Sequence, residues 1–356
     1  MEKNFYLEDI LSQEGQLRKA IDGYKAASVM QKLKQLSERK LSKVVFSGMG
    51  SSHFCALGGD ILLKQRGMDS KVISTGELIY YEKGCLNKDT ALCLISQSGE
   101  SAETRHLLEL VEEDVFIIGV TNHEDSTLAK RADMAFLLNV SDEISVTTRT
   151  YLSSLVMVQL IAAAVCGEDP GAVLREFEDT VGKMGRYLAD YPRETERLME
   201  FCGKMDVVSL IGRGNALSSV RAGALFLREV CKFPSIDFDS AEFRHGPMEM
   251  VQEGFYAIVF APSGKTQKLS LGLAADIGAK GGRVILITDE SGYEEGVKQG
   301  IAVQVNILPV ILPAAEEYAS QILQILPVQL LANAIAEARG IPAGVFRWGS
   351  KVTAQE

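Results

Sequence analysis

An internal duplication is the feature that most constrains how this chain can fold. Three short stretches of the first half recur in the second half, in the same order and at nearly one spacing. Gly48 matches Gly212, Ser98 matches Ser263 and Thr121 matches Thr288, at offsets of 164, 165 and 167 residues. Three ordered matches predict that the two halves share one fold.

Each half alternates short apolar runs with longer segments of helical pattern. This alternation is typical of a parallel sheet that is covered by helices on both faces. We therefore predict an α/β protein with two domains, each a flavodoxin-like three-layer sandwich. The charged, helix-forming stretch 176–199 contains the predicted division, which gives domains of residues 1–190 and 191–356. Ligands of such sheets bind at the carboxyl ends of the strands.

A serine-rich loop, Ser96-Gln97-Ser98-Gly99-Glu100-Ser101, follows the apolar run 91–95 and precedes the helical stretch 102–112. This order places backbone N–H groups and the positive end of a helix dipole beside three hydroxyls. Such an arrangement binds phosphate without a lysine. The alternative is a plain helix N-cap, for which Ser and Glu are ordinary residues. We favour the anion site and expect a small phosphorylated ligand.

The corresponding turns of the second half differ from those of the first. Residues 261–266 end like a Walker loop, but Val259 stands where that motif needs a glycine. The Gly-x-Gly turns at Gly48 and Gly212 lack the third glycine of a dinucleotide fingerprint. We therefore expect the first half to hold the phosphate and the second to supply other groups, without a nucleotide cofactor.

Composition excludes several classes of partner. The net charge of −10 argues against nucleic acid, whose phosphate backbone needs basic patches. The most apolar stretch, 151–165, contains Ser and Gln and is predicted to be a buried helix rather than a membrane span. Six scattered cysteines without a C-x-x-C pair, and no signal peptide at the N-terminus, predict reduced thiols in the cytoplasm and no metal site.

A second cluster, Glu242-Phe243-Arg244-His245-Gly246-Pro247, combines a histidine with an arginine and a Gly-Pro break. It is consistent with a helix C-terminus, with catalytic chemistry, or with both. Upstream, Glu229 is flanked by apolar residues near the end of a predicted helix. By local pattern alone, a salt-bridged surface carboxylate is the more common explanation for Glu229.

Together, the duplication, the serine loop, the Glu242–Pro247 cluster and the C-terminal stretch 350–353 resemble the tandem sugar isomerase (SIS) family. Within that family, the chain resembles the isomerase half of glucosamine-6-phosphate synthase and the fructoselysine-6-phosphate deglycases. The resemblance covers nearly the whole chain. It implies two tandem SIS domains and a hexose 6-phosphate substrate, with no cofactor.

The resemblance also implies roles for individual residues. The phosphate loop would consist of Ser96, Gln97, Ser98 and Ser101, and the sugar site would include Ser51, Ser52, Val146 and Thr148. Glu229 matches the family's catalytic base. His245 matches a histidine that helps open the sugar ring from the neighbouring subunit, which implies a homodimer with shared sites. Lys351 matches a lysine that forms a Schiff base with the open-chain ketose; the alternative is a solvated lysine at a frayed terminus.

Two departures from the synthase pattern bear on the reaction. Phe226 stands where the synthase has a lysine one helical turn before its base, and the tail after Lys351 is one residue shorter. The Glu242–Pro247 cluster, followed by Glu249, looks deglycase-like, whereas those deglycases lack the C-terminal lysine motif. We therefore expect a metal-independent enzyme acting at C1–C2 of a nitrogen-bearing hexose 6-phosphate, by deglycation, deamination or isomerisation. The alternatives are a simple aldose–ketose isomerase and a non-catalytic sugar-phosphate sensor.

Overall fold

The computed structural model describes residues 3–353, and the chain separates into two compact units. The first unit contains Ser12–Asp179 and the chain from Phe346 onward; the second contains the chain up to Leu11 and Thr180–Val345. Each unit is therefore built from two separate stretches of sequence. The predicted division between residues 190 and 191 uses continuous segments and groups Lys351 with the second half, whereas the compact units group it with the first.

A five-stranded parallel sheet forms the centre of the first unit. Its strands are β1 (Lys43–Gly48), β2 (Asp69–Ser74), β3 (Thr90–Ile95), β4 (Phe116–Thr121) and β5 (Met134–Leu137), in the order β2-β1-β3-β4-β5. All residues of β3 and β4 are buried, because helices cover both faces of the sheet. The predicted apolar runs are thus its central strands.

The helices of this half of the chain lie before, between and after the strands. They are α1 (Phe5–Tyr24), α2 (Ala27–Glu38), α3 (Ser51–Gln65), α4 (Thr75–Glu77), α5 (Ala102–Leu110), α6 (Thr127–Arg131), α7 (Arg149–Val165) and α8 (Pro170–Ala189), and a π-helical turn, Leu78–Glu82, extends α4. Every residue of α7 is buried, and this helix packs against α3. The apolar stretch 151–165 is therefore a core helix, as predicted.

The second unit repeats the same topology. Its strands are β6 (Val208–Gly212), β7 (Ser235–Asp239), β8 (Tyr256–Ala261), β9 (Arg283–Asp289) and β10 (Ile307–Leu312), in the order β10-β9-β8-β6-β7. Its helices are α9 (Tyr191–Cys202), α10 (Ala216–Cys231), α11 (Ser240–Arg244), α12 (Gln267–Ala279), α13 (Glu290–Lys298) and α14 (Gln321–Ala338). From the β7 edge, the strand order is that of the first sheet, so the predicted α/β fold with duplicated parallel sheets is confirmed.

Two further findings concern the helices and the cysteines. None of the helices within residues 3–353 is long and apolar enough to span a membrane. The thiols of Cys55, Cys93, Cys202 and Cys231 are buried in the cores of the units. Burial raises the pKa of the Cys202 and Cys231 thiols to about 12, so both are neutral at physiological pH.

Candidate active site

The first sheet reverses its strand order between β1 and β3, which is where open α/β sheets bind ligands. The turn after β1 and the serine loop after β3 meet at this point. Gly48, the last residue of β1, pairs in register with Ile95, the last residue of β3. A side chain at Gly48 would place its Cβ 2.8 Å from the Ile95 carbonyl oxygen. Only glycine lets these two strand ends approach so closely.

The serine loop is held in shape by its own hydroxyls. The amide of Gly99 donates to Ser96 Oγ over 3.2 Å, and the amide of Glu100 donates to Ser98 Oγ over 3.1 Å. Ser101 is the N-cap of α5 and accepts from the amide of Thr104. The N-cap interpretation is therefore correct for Ser101. A serine that accepts from a backbone amide still has its own hydroxyl proton to donate, so the loop keeps donors for an anion.

Gly99 is the position that allows this loop to form. Its φ of +66° lies in the left-handed region, and a Cβ there would lie 2.3 Å from Ser126 Oγ. Both the backbone conformation and the close approach of Ser126 therefore require glycine. On the facing side of the switch point, Ser51 and Ser52 form the first turn of α3 and are half-buried. Two helices, α3 and α5, thus direct their N-termini toward the same edge of the sheet.

The C-terminal tail lies over the start of α5. The first amide of α5, that of Ala102, donates to the carbonyl oxygen of Thr353 over 3.1 Å. Two residues earlier, the Lys351 ammonium donates to Glu143 Oε2 over 3.0 Å and to the Ser145 carbonyl oxygen over 2.9 Å. The Lys351 side chain is 23% exposed and the Glu143 side chain is fully buried. Lys351 is thus tied to the first unit rather than left as a solvated lysine.

Glu143 is the residue that sequence reasoning missed. Its carboxylate accepts hydrogen bonds from the amides of Thr148 and Thr150, at 2.8 and 3.0 Å, and from both threonine hydroxyls. Burial alone raises the pKa of this carboxyl, but the Lys351 charge and the hydrogen bonds from Thr150 and Thr148 outweigh it and lower the pKa. Its position was the signal, because Glu143 begins the segment Glu143–Thr148, in which sequence analysis assigned only Val146 and Thr148 to the sugar site.

The two predicted sugar-contacting residues of that segment are buried. Val146 is 1% exposed, and Thr148 is fully buried. The hydroxyl of Thr148 donates to Glu143 Oε1 over 3.1 Å. In this structure, therefore, both the amide and the hydroxyl of Thr148 donate to the carboxylate that pairs with Lys351.

The remaining two predicted catalytic residues belong to the second unit. Glu229 is half-buried in the last turn of α10, whose C-cap, Lys232, adopts φ +53°. The Lys232 ammonium donates to the Glu229 backbone carbonyl and to the Val345 carbonyl oxygen, the latter over 2.7 Å. Phe226, one turn earlier, is fully buried. An apolar residue suits this buried position.

His245 is an exposed residue at the end of a short helix. Asp239 caps α11 at its N-terminus, and the amide of His245 donates to the Glu242 carbonyl oxygen over 2.9 Å. Arg244 pairs with Asp276 at 2.7 Å. The helix C-terminus predicted from the Gly-Pro break is therefore present. Across residues 3–353, no group of three or more His, Cys, Asp or Glu side chains is arranged to hold a metal ion.

Comparison with known proteins identifies the family. The SIS domain model matches twice, over residues 35–164 and 205–332. A glutamine–fructose-6-phosphate aminotransferase (isomerizing) of Pyrococcus horikoshii is 27% identical over 345 residues, which are 95% of this chain and 55% of that protein. The chain thus spans about half the length of the curated relatives it matches.

Two solved structures share the fold over almost the whole chain. The C-terminal domain of a glucosamine-fructose-6-phosphate aminotransferase from Francisella tularensis has a TM-score of 0.82 at 22% identity, covering 99% of this chain and 98% of that one. A glucosamine-6-phosphate deaminase from Thermotoga maritima has a TM-score of 0.74 at 21% identity, covering 99% and 100%. Since the family model matches both halves of the chain, each centred on the same parallel sheet, the protein belongs to the SIS domain family.

Proposed function

We propose that this protein is a phosphosugar enzyme that acts at C1–C2 of a hexose 6-phosphate bearing nitrogen. The observation that carries the proposal is the serine loop at the switch point of the first sheet. The C-terminal tail that contains Lys351 lies over the start of α5, the helix that follows this loop. The relatives point the same way, because their names specify an isomerising aminotransferase and an amino-sugar phosphate deaminase. We also propose that it works in the cytoplasm.

The phosphate would be bound by hydroxyls and backbone amides rather than by a basic side chain. Ser96 and Ser98 each accept from a backbone amide and keep a hydroxyl proton to donate, whereas Ser101 Oγ already shares a hydrogen bond with Thr104 Oγ1 at 2.8 Å. Ser51 and Ser52 would face the loop from the start of α3. The two helix N-termini contribute positive potential at the same edge of the sheet. A dianionic phosphate would gain from each of these donors, whereas an unphosphorylated sugar would leave them without a partner.

Lys351 would bind the carbonyl of the open-chain sugar as an iminium ion. Its ammonium must first lose a proton, because only the neutral amine is nucleophilic. The pair with Glu143 Oε2 at 3.0 Å stabilises the ammonium, so Lys351 would have to leave this pair and release its proton to water. The neutral amine would then add to the C2 carbonyl, and loss of water would give the iminium.

Glu229 and His245 are proposed as the residues that move protons on the sugar. His245 would help open the ring, and Glu229 would carry a proton between C1 and C2 through an enediol or enolamine. One base that reaches both carbons suffices for this shuttle. The support is the resemblance of both positions to the family's catalytic residues, together with the exposure of His245 on the chain, which leaves it accessible to a second subunit. The proposal therefore includes a homodimer with shared sites.

The test is a substrate panel assayed with the purified protein. Glucosamine 6-phosphate, fructose 6-phosphate, glucose 6-phosphate and a ketosamine 6-phosphate such as fructoselysine 6-phosphate are incubated separately, and ammonia, free amine and ketose phosphate are measured. We expect turnover of a nitrogen-bearing phosphate and none of its unphosphorylated form. Turnover of glucose and fructose 6-phosphates alone would support a simple isomerase. Tight binding of the phosphates without any product would support a sugar-phosphate sensor.

A further inference from the structure

The loop after β4 braces the serine loop from one side. The amide of Asn122 and the hydroxyl of Thr121 both donate to the Gln97 carbonyl oxygen, over 2.9 and 3.1 Å. Further along, the amide of Leu128 donates to the Gly99 carbonyl oxygen over 3.2 Å. These bonds fix the backbone of the serine loop and leave the side chain of Gln97 to be held separately.

His123, which belongs to the bracing loop, holds that side chain. Its Nε2 lies 3.3 Å from Nε2 of Gln97. The nitrogen of a glutamine side chain can only donate, so the histidine nitrogen accepts in this contact and the imidazole carries its proton on Nδ1. An amide NH2 group has a proton on each side, and the one that is not donated to His123 remains for another acceptor.

Asp142 competes with Gln97 for the same histidine nitrogen. Its Oδ1 lies 3.4 Å from His123 Nε2 and can accept from that nitrogen only when the nitrogen carries a proton, so the two contacts exclude each other. The Asp142 side chain is 70% exposed, and its Oδ1 also accepts from Asn122 Nδ2 over 3.2 Å. Water and Asn122 therefore satisfy Asp142 without His123. Because Gln97 is half-buried, its amide has the greater need of a partner within the protein.

We propose that His123 is a positioning residue of the phosphate site. Its neutral imidazole accepts from the Gln97 amide and orients it, so that the second N–H is directed at the phosphate of the ligand. Without the imidazole, the flexible Gln97 side chain would adopt other rotamers, some of which turn the amide oxygen toward the phosphate. This inference rests on the proposed function, because it requires that the serine loop binds a hexose 6-phosphate.

The test measures binding of glucitol 6-phosphate by calorimetry, because this open-chain phosphate has no carbonyl and cannot be isomerised. We expect His123→Phe to weaken binding by about 3- to 10-fold, the loss that one ordinary hydrogen bond causes. In a Gln97→Ala background, the same substitution should have no further effect, because the side chain that His123 positions is then absent. His123→Gln, whose amide oxygen can accept from Gln97, should restore the affinity of the wild type.

His106→Phe is the matched control. His106 is half-buried in the same unit, but its ring packs edge-on against Tyr80 at 5.9 Å between ring centres. We expect this variant to bind glucitol 6-phosphate as the wild type does. His123→Leu is carried in parallel with His123→Phe, and thermal unfolding reports which variants are folded.

Unchanged affinity in the folded His123→Phe or His123→Leu variant would overturn the inference. It would also be overturned by an equal loss with and without the Gln97 side chain, or by a His123→Gln variant that binds no better than His123→Phe. Equal affinity of the wild type for glucitol and glucitol 6-phosphate would refute the proposed phosphate site, and this inference with it. Phosphate-dependent binding that does not respond to His123 would refute the inference alone.

Discussion

Replacement of Lys351 by methionine tests the role of the buried pair that it forms with Glu143. The substitution keeps an unbranched side chain but removes the ammonium, which leaves the Glu143 carboxylate buried with only its threonine partners. The negative charge would then be held by hydrogen bonds alone. We expect the first unit to lose stability at neutral pH and the tail to detach from the start of α5.

The magnitude follows from the geometry of the pair. Two unit charges 3.0 Å apart interact by about 5 kcal/mol at an effective dielectric constant of ~20. Removal of one partner from a buried pair typically costs about 3–5 kcal/mol. Lys351 is 23% exposed, so water already screens part of the interaction and can enter when the tail detaches. We therefore expect a loss of about 2–3 kcal/mol, below the fully buried range.

The pH dependence gives the sign of the effect. The Glu143 pKa is lower in the folded protein than its ordinary value of 4.5, so its stabilising contribution is complete above that value and is lost as the pH falls through the folded pKa. Lys351→Met removes a main cause of the lowering. The stability difference between wild type and variant should therefore be largest near neutral pH and shrink as the pH falls below about 4.5.

The assay is urea unfolding monitored by circular dichroism, at neutral pH and at pH 4. Lys34→Met is the matched control. Lys34 pairs with Glu38 at 3.9 Å on the surface of α2, with 77% of the lysine side chain exposed. Such pairs contribute about 0–1 kcal/mol. Fluorescence anisotropy of Trp348, the chain's single tryptophan, reports whether the tail detaches. Equal small losses in both variants, or a difference that grows as the pH falls, would refute the reasoning.

Three further predictions concern binding and catalysis. Ser98→Ala should weaken binding of a hexose 6-phosphate by about 1.5–3 kcal/mol, the range of a hydrogen bond to a charged group; calorimetry showing equal affinity for phosphorylated and free sugar would contradict the phosphate site. Glu229→Gln and His245→Ala should each be inactive alone but regain partial activity when mixed under conditions that exchange subunits, and an absence of recovery would rule out a shared site. Borohydride with a ketose 6-phosphate should trap an adduct on Lys351 by peptide mass spectrometry; full turnover by Lys351→Ala without an adduct would favour a mechanism that uses only Glu229 and His245.

The fold was predictable because its signals are local and repeated. Continuous apolar runs become β3 and β4, buried on both faces, and the polar-interrupted stretch 151–165 becomes the buried helix α7. The serine loop was predictable for the same reason, since a strand, a glycine turn and a helix start adjoin one another within a few residues. Neither prediction needed knowledge of how distant segments pack.

Only the tertiary structure determined which distant residues meet. Lys351 and Glu143 are 208 residues apart, and their contact depends on the tail returning to the first unit, which no local pattern encodes. Gln97 and His123 are 26 residues apart, and their contact depends on β3 and β4 being neighbours in the sheet. Periodicity and turn chemistry specify backbone conformation over several residues, whereas a pairing between charges far apart in sequence depends on how the chain packs as a whole. The sequence by itself therefore determined the two sheets and the serine loop, and the folded chain determined the partners of Lys351 and Gln97.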